Sequence, residues 1–299
     1  MMLPTPEERG AYEETLWRQI GNICKPVHYH SKHSLRCPTC GGPKEGGAVE
    51  CNGCAALSRQ CMQFSGSNDA SLLADRVRIA NYALNSNSGN NPNWAPGYSQ
   101  MLRIMYDYKT HDDKEAARRE STKSQRILQW LLVDAFIMHW DCLTSIANGV
   151  YPTAWATVPS SKSSPRYGHP HPLNLLVRSL FAPTGIPELA IPEIQLQATQ
   201  VKQHRSFNPD AFAIADSPTP DKLNHVILIE DTWTSGASVQ SAAAQLKLHG
   251  AREVTIFCLA RIVNQTYADS IDPHIFDAIA NSSCGTTFCP WDPKRHGMR

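Results

Sequence analysis

Residues 226–250 read VILIEDTWTSGASVQSAAAQLKLHG, and the fold prediction depends on this stretch. Four consecutive branched apolar residues, Val226 to Ile229, predict a buried strand. Glu230 and Asp231 follow the strand, and an Ala-rich helix is predicted from Ser238 to Leu248. Further apolar strands are predicted at 154–158 and 254–259. Buried strands that alternate with helices indicate an α/β protein with a parallel sheet.

The loop between this strand and its helix has the composition of an anion site. It contains Thr234, Ser235, Gly236, Ala237 and Ser238. Backbone N–H groups at a helix N-terminus favour a phosphate, and Gly236 lets the backbone approach it closely. Carboxylates at the carboxyl end of the strand can accept hydrogen bonds from two vicinal sugar hydroxyls. The stretch therefore predicts a ribose 5-phosphate site, and the alternative is an ordinary turn with acids at its rim.

Four of the ten cysteines form two pairs with metal-binding spacing, Cys37-Pro-Thr-Cys40 and Cys51-Asn-Gly-Cys54. Four thiolates at this spacing match tetrahedral zinc without an open position, so we expect a structural zinc site. The alternative is four reduced thiols in a loop. Cys284 and Cys289, with His296, are spaced too loosely to predict a second site, and we interpret them as ordinary residues of a tail.

Composition limits the classes of partner. The chain has 299 residues, which predicts about two domains, and 28 basic against 27 acidic residues give a net charge of +1. This balance gives no evidence for a basic surface that binds nucleic acid or a membrane. The most apolar stretch, 127–140, is too short to span a bilayer, and the N-terminus lacks the features of a signal peptide. We expect a cytoplasmic protein without a membrane partner.

The pattern along the chain predicts four regions. These are a zinc ribbon at 24–62, a helical linker or hood at 63–146, an α/β domain at 147–265 and a C-terminal tail at 266–299. Within them, helices are predicted at 71–83, 98–108 and 172–181. The Asn-, Gly- and Pro-rich segment 85–97 is predicted to be an open loop.

The stretch from Val226 to Gly236 resembles the PRPP-binding signature of type I phosphoribosyltransferases. That signature has four apolar residues, two acids, two variable residues and then Thr-Thr/Ser-Gly. The variable pair, Thr232 and Trp233, is predicted to tolerate apolar replacement. Val158-Pro-Ser-Ser-Lys162 is similar to the family's pyrophosphate-binding loop, which implies that Ser160, Ser161 and Lys162 hold the diphosphate.

Three further features resemble the ComF-like branch of this family. They are the four-cysteine ribbon, the Tyr106-Asp-Tyr108-Lys109 segment and the run from Arg205 through Asn208 to Phe212. The resemblance covers most of residues 35–263. The chain departs from the branch at Arg166-Tyr-Gly168, where the usual Gln is missing, and in the long 60–146 region. These departures leave the pocket for the acceptor nucleophile undefined.

The resemblance implies a type I phosphoribosyltransferase-like sheet with an N-terminal zinc ribbon. It implies binding of PRPP or another ligand that contains ribose 5-phosphate, with Mg²⁺ and with Glu230 and Asp231 as catalytic residues. The expected activity is phosphoribosyl transfer to an unidentified nucleophile. Two alternatives remain open: a PRPP- or nucleotide-sensing protein without turnover, and a ComF-like accessory factor in DNA uptake that contacts a helicase or single-stranded DNA. The near-zero net charge weakens direct DNA binding.

Overall fold

The computed structural model describes residues 4–27, 35–86, 100–109, 115–160, 171–181, 186–201, 205–282 and 289–291. Its helices are α1 (Pro6–Ile20), α2 (Asn52–Ser65), α3 (Gln100–Asp107), α4 (Glu115–Val133), α5 (Trp140–Ile146), α6 (Pro172–Phe181), α7 (Ala237–Leu248), α8 (Gln265–Ile271) and α9 (Ile275–Ala280). Its strands are β1 (Arg76–Asn85), β2 (Ala154–Thr157), β3 (Leu196–Ala198), β4 (Phe212–Ile214), β5 (His225–Trp233) and β6 (Glu253–Asn264). A π-helical turn, Asp134–Met138, lies between α4 and α5.

A parallel four-stranded sheet forms the centre of the α/β fold. Its strand order is β1-β6-β5-β2, so β5 is an interior strand. Strands β2 and β5 pair in parallel, with Ala154 opposite Val226 and Thr157 opposite Ile229. The four residues from Val226 to Ile229 are fully buried, as their composition predicts. A separate pair, β3 and β4, is antiparallel.

Helix α7 follows β5 after a short loop, which confirms the predicted strand–loop–helix unit. The helix begins after Gly236, whose backbone is left-handed with a φ of +82°. Its alanines at 242–244 are buried, and small side chains let the helix pack closely. The helix ends before Gly250, which has a φ of +97° as expected for a residue after a helix C-terminus.

The segment 71–83, predicted to be helical, forms most of strand β1 from residue 76 onward instead. Its start is fixed beside β6, because the Asp75 N–H donates to the Val254 carbonyl at 2.9 Å and Asp75 Oδ2 accepts from the Val254 N–H at 2.7 Å. Arg76 and Glu253 form an ion pair at 2.7 Å. The apolar residues of this run fit both the helical and the strand period, and the segment forms a strand because it pairs with β6.

The chain divides into two compact units. The first contains residues 52–78 and 147–258, and the second contains residues 2–51, 79–146 and 259–299. The apolar stretch of the second unit forms the end of α4, the π-helical turn and α5. Among the described helices, none combines the length and the apolar character that a bilayer span requires. The four-region division given above stays a prediction.

Candidate functional site

The loop between β5 and α7 lines a pocket of about 280 Å³. This volume is close to the lower end of ordinary small-molecule pockets, roughly 300 Å³. The pocket brings together six of the predicted site residues, and its lining consists of Arg205, Glu230, Thr232, Thr234, Ser235, Gly236, Ala237, Ser238 and Val239. Hydroxyl groups and the first backbone amides of α7 therefore surround one cavity.

Gly236 gives the loop its shape. Its φ of +82° is in the left-handed region, where side chains are disfavoured. A β-carbon added at Gly236 would come within 2.2 Å of Trp233 Cζ2. The Ala237 N–H donates to Ser235 Oγ at 3.3 Å and helps to close the turn. The requirement for glycine thus comes from packing against Trp233 as well as from the backbone.

The tolerance predicted for Trp233 is not supported by its position. Its side chain is 1% exposed and packs under Gly236. Truncating a buried aromatic ring leaves a cavity, which costs about 3–5 kcal/mol. Trp233 is therefore a structural support of the loop, although the sequence pattern treats it as a variable position.

The two consecutive acids have different surroundings. Glu230 lines the pocket, whereas Asp231 is not among the residues that line it. Successive side chains of a strand point to opposite faces, which accounts for the separation. Asp231 is 3% exposed, and its Oδ2 lies 3.9 Å from His171 Nε2. His171 is not among the site residues predicted from the sequence, and the His-Pro-His-Pro run that leads into α6 is the signal that could have indicated it.

Arg205 adds a cation to the pocket. Its φ of +52° is uncommon for a residue with a side chain, and such conformations occur often at functional sites. The segment that carries it is held by two hydrogen bonds within the same unit. The Phe207 N–H donates to Gln60 Oε1, and the Asn208 N–H donates to Ser241 Oγ, both at 2.8 Å. The segment quoted for the family resemblance therefore reaches the pocket.

The predicted pyrophosphate loop is described only at its start. Ser160 follows β2 and is half-buried, and it is not among the residues that line the pocket. Ser161 and Lys162 lie outside the described residues. Because β2 is the parallel neighbour of β5, its carboxyl end lies at the same edge of the sheet as Glu230.

The four predicted metal-ligating cysteines form one buried cluster. The sulfur atoms of Cys37, Cys40, Cys51 and Cys54 all lie within 4.8 Å of one another. The Cys40 and Cys51 sulfurs are 3.6 Å apart, close to the edge of a ZnS₄ tetrahedron, roughly 3.8 Å for Zn–S bonds of about 2.3 Å. The arrangement could hold a metal ion such as zinc.

A tight turn aims the first cysteine pair at the cluster. The Gly41 N–H donates to the Cys37 carbonyl at 2.8 Å, and Gly41 has a φ of +66°. The Tyr82 hydroxyl donates to the Gly41 carbonyl at 2.7 Å. Burial raises the pKa of Tyr82 to about 12, so its phenol keeps the donated proton at neutral pH.

A comparison with models of known protein families finds no match for this chain. A search of the curated proteins likewise finds no significant match.

Proposed function

We propose that the chain binds a phosphoribosyl ligand, PRPP with Mg²⁺, in the pocket between β5 and α7 and transfers the phosphoribosyl group to a nucleophile. One observation carries the proposal. A single cavity is lined by a carboxylate, Glu230, by a guanidinium, Arg205, and by the hydroxyl-rich turn 234–238 at the N-terminus of a helix. These groups match the sugar and the phosphate of such a ligand in chemical type.

The phosphate has three kinds of partner in this pocket. The first backbone amides of α7 supply N–H donors and the positive end of a helix dipole. Thr234, Ser235 and Ser238 supply hydroxyl groups. Arg205 supplies a planar guanidinium, which pairs well with phosphate oxygens.

In this proposal the sugar and the reacting bond lie beside Glu230. Glu230 accepts hydrogen bonds from the ribose hydroxyls and so orients the sugar ring. Mg²⁺ bound with the ligand would supply charge compensation as the bond from ribose to pyrophosphate breaks. Asp231 stands next to Glu230 in the chain and beside His171, where it adds negative charge to this end of the strand.

We further propose zinc as the metal of the four-cysteine cluster. Four buried thiolates give a closed tetrahedral site, which is the arrangement of structural zinc. Such a site contributes about 10–16 kcal/mol of apparent binding energy to a small segment. Its role is therefore to hold the segment around Cys37 and Cys51 in place.

Pyrophosphate release tests the transfer reaction. The full-length protein is incubated with PRPP, Mg²⁺ and a panel of bases and amines, and released pyrophosphate is measured for each acceptor. Release that requires one acceptor and falls in Glu230→Gln supports the proposal. The matched control is Glu188→Gln, because Glu188 is exposed and is not among the residues that line this pocket.

Two other results would change the conclusion. Saturable PRPP binding, with no pyrophosphate released in the presence of any acceptor, would indicate a sensing function in place of transfer. Release that is equal in the wild type and in Glu230→Gln would place the reaction outside this pocket.

A further inference from the structure

A second group of metal-ligating side chains lies in the second unit, apart from the four-cysteine cluster. The potential ligand atoms of His139, Cys142 and Cys289 lie within 4.8 Å of one another. All three residues are buried, with exposures of 1%, 2% and 0%. Cys289 is distant in sequence from the other two, so the chain folds back to complete the group.

We propose that His139, Cys142 and Cys289 bind a second zinc ion. His139 Nδ1 and Cys142 Sγ are 3.7 Å apart. Tetrahedral zinc with Zn–N near 2.05 Å and Zn–S near 2.3 Å places such ligand atoms roughly 3.6 Å apart. His139 precedes α5 and Cys142 lies in its first turn, where the Cys142 N–H donates to the His139 carbonyl at 3.0 Å and keeps the two residues together. Three protein ligands leave one position of the tetrahedron for a further group.

The other ring nitrogen of His139 lies beside two carboxylates. His139 Nε2 lies 2.9 Å from Glu13 Oε1 and 4.0 Å from Asp134 Oδ1. With Nδ1 on zinc, Nε2 carries the proton next to the Glu13 carboxylate. Zinc-bound histidines usually make such a contact to a carboxylate, which fixes the tautomer and strengthens the ligand.

Contacts next to Cys289 hold its segment against the same part of the fold. The Trp291 indole N–H donates to the Ala135 carbonyl, and the Trp291 ring packs edge-on against Phe136, with centroids 5.3 Å apart. Ala135 and Phe136 belong to the π-helical turn that ends just before His139. Such turns occur often at functional sites.

Cys142, His139 and Glu13 also have the order of a thiol nucleophile, its base and an orienting acid. A nucleophile must be reached by its substrate, however, and Cys142 is only 2% exposed. Cys289 is a second thiol beside the His139 imidazole, and a catalytic triad has no role for it. Burial and the second thiol both favour a metal site over a catalytic triad.

Zinc analysis of the full-length protein tests the proposal. After exposure to zinc and desalting, we expect two equivalents in the wild type, and one in Cys142→Ala and in Cys289→Ala. The matched control is Cys61→Ala, because Cys61 is fully buried and belongs to neither metal-ligating group among the described residues. It should keep both equivalents. Glu13→Gln should keep the site but bind its zinc about 10–100-fold more weakly.

A measurement on the wild-type protein tests the proposal even if the variants fail to fold. Thiols are titrated with a mercurial reagent while released zinc is counted, and we expect release in two steps. Wild-type protein with a single zinc, or a disulfide between Cys142 and Cys289, would overturn the proposal. Alkylation of Cys142 by iodoacetamide in the zinc-loaded protein would overturn it as well, because a zinc-bound thiolate is protected.

Discussion

The indole of Trp233 occupies the space where a side chain at residue 236 would begin. A β-carbon on Gly236 would lie 2.2 Å from Trp233 Cζ2, well inside van der Waals contact. The turn that surrounds the pocket is therefore shaped by packing inside the protein, before any ligand binds. Substitutions at Gly236 consequently test the stability of the turn, and other positions are needed to test ligand binding.

Replacing Gly236 with alanine should lower the free energy of unfolding by more than backbone strain alone. The left-handed backbone costs an alanine about 1–2 kcal/mol, and forcing the β-carbon against Trp233 adds about 1–3 kcal/mol. Gly66→Ala is the matched control, since Gly66 has a φ of +66° and nothing within 4 Å of its added β-carbon. Urea denaturation of both variants measures the difference. Equal losses would mean that Trp233 does not press on residue 236.

Asp231→Asn should weaken binding of PRPP with Mg²⁺ by on the order of tenfold. The substitution keeps the shape of Asp231 but removes its negative charge next to Glu230, and a loss of about 1.4 kcal/mol in charge interaction with Mg²⁺ is tenfold in affinity. Because Asp231 is only 3% exposed, its replacement could also destabilise the fold. The unfolding midpoint of the variant is therefore measured alongside the calorimetric titration. A folded variant that binds as tightly as the wild type would remove Asp231 from the site.

Acidification should destabilise the fold partly through His225. Its Nε2 lies 2.9 Å from Thr255 Oγ1 and its Nδ1 lies 3.1 Å from the Val150 carbonyl. Burial lowers the pKa of His225 below its usual 6.5. As the pH falls below about 6.5, the unfolded chain therefore binds a proton that the folded chain does not, and the free energy of unfolding decreases.

Substituting His225 with glutamine should make that loss shallower. Unfolding midpoints between about pH 7.5 and 5.5 give the slope for each protein, across the range in which a free histidine titrates. His249→Gln, at an exposed position, serves as the control and should keep the wild-type slope. An unchanged slope in His225→Gln would show that another group causes the acid sensitivity.

Cys37→Ser should remove one equivalent of zinc, because a hydroxyl is a poor replacement for one of four thiolates. Elemental analysis of the purified protein measures the loss, and Cys61→Ala is the matched control. If Cys37→Ser keeps the full zinc content, the four-cysteine cluster is not a zinc site.

The sequence predicts those parts of the fold whose signal is local. The run from Val226 to Ile229 indicates a buried strand by composition alone, and Pro172–Phe181 forms the predicted helix with the same bounds. Cys37 and its three partners are recognisable because their spacing is short. In each case neighbouring residues carry the information.

Features that depend on distant partners could not be predicted in this way. Strand β1 is a strand because it pairs with β6, and its own residues fit a helix almost as well. His139 and Cys142 have helical spacing for a metal, but Cys289 joins them only through the folding of the chain. The alternation of side chains along a strand does predict that Glu230 and Asp231 face opposite sides of the sheet.

Calorimetric titration of PRPP with Mg²⁺ into the wild type and two pocket variants tests the central claim most directly. We expect saturable binding to the wild type, and on the order of tenfold weaker binding to Glu230→Gln and to Arg205→Gln, since each loses a charged partner of the ligand. Arg252→Gln, at an exposed arginine that is not among the residues that line this pocket, should bind as the wild type does. Absence of binding to the folded wild type, or equal binding by all four proteins, would contradict the phosphoribosyl assignment.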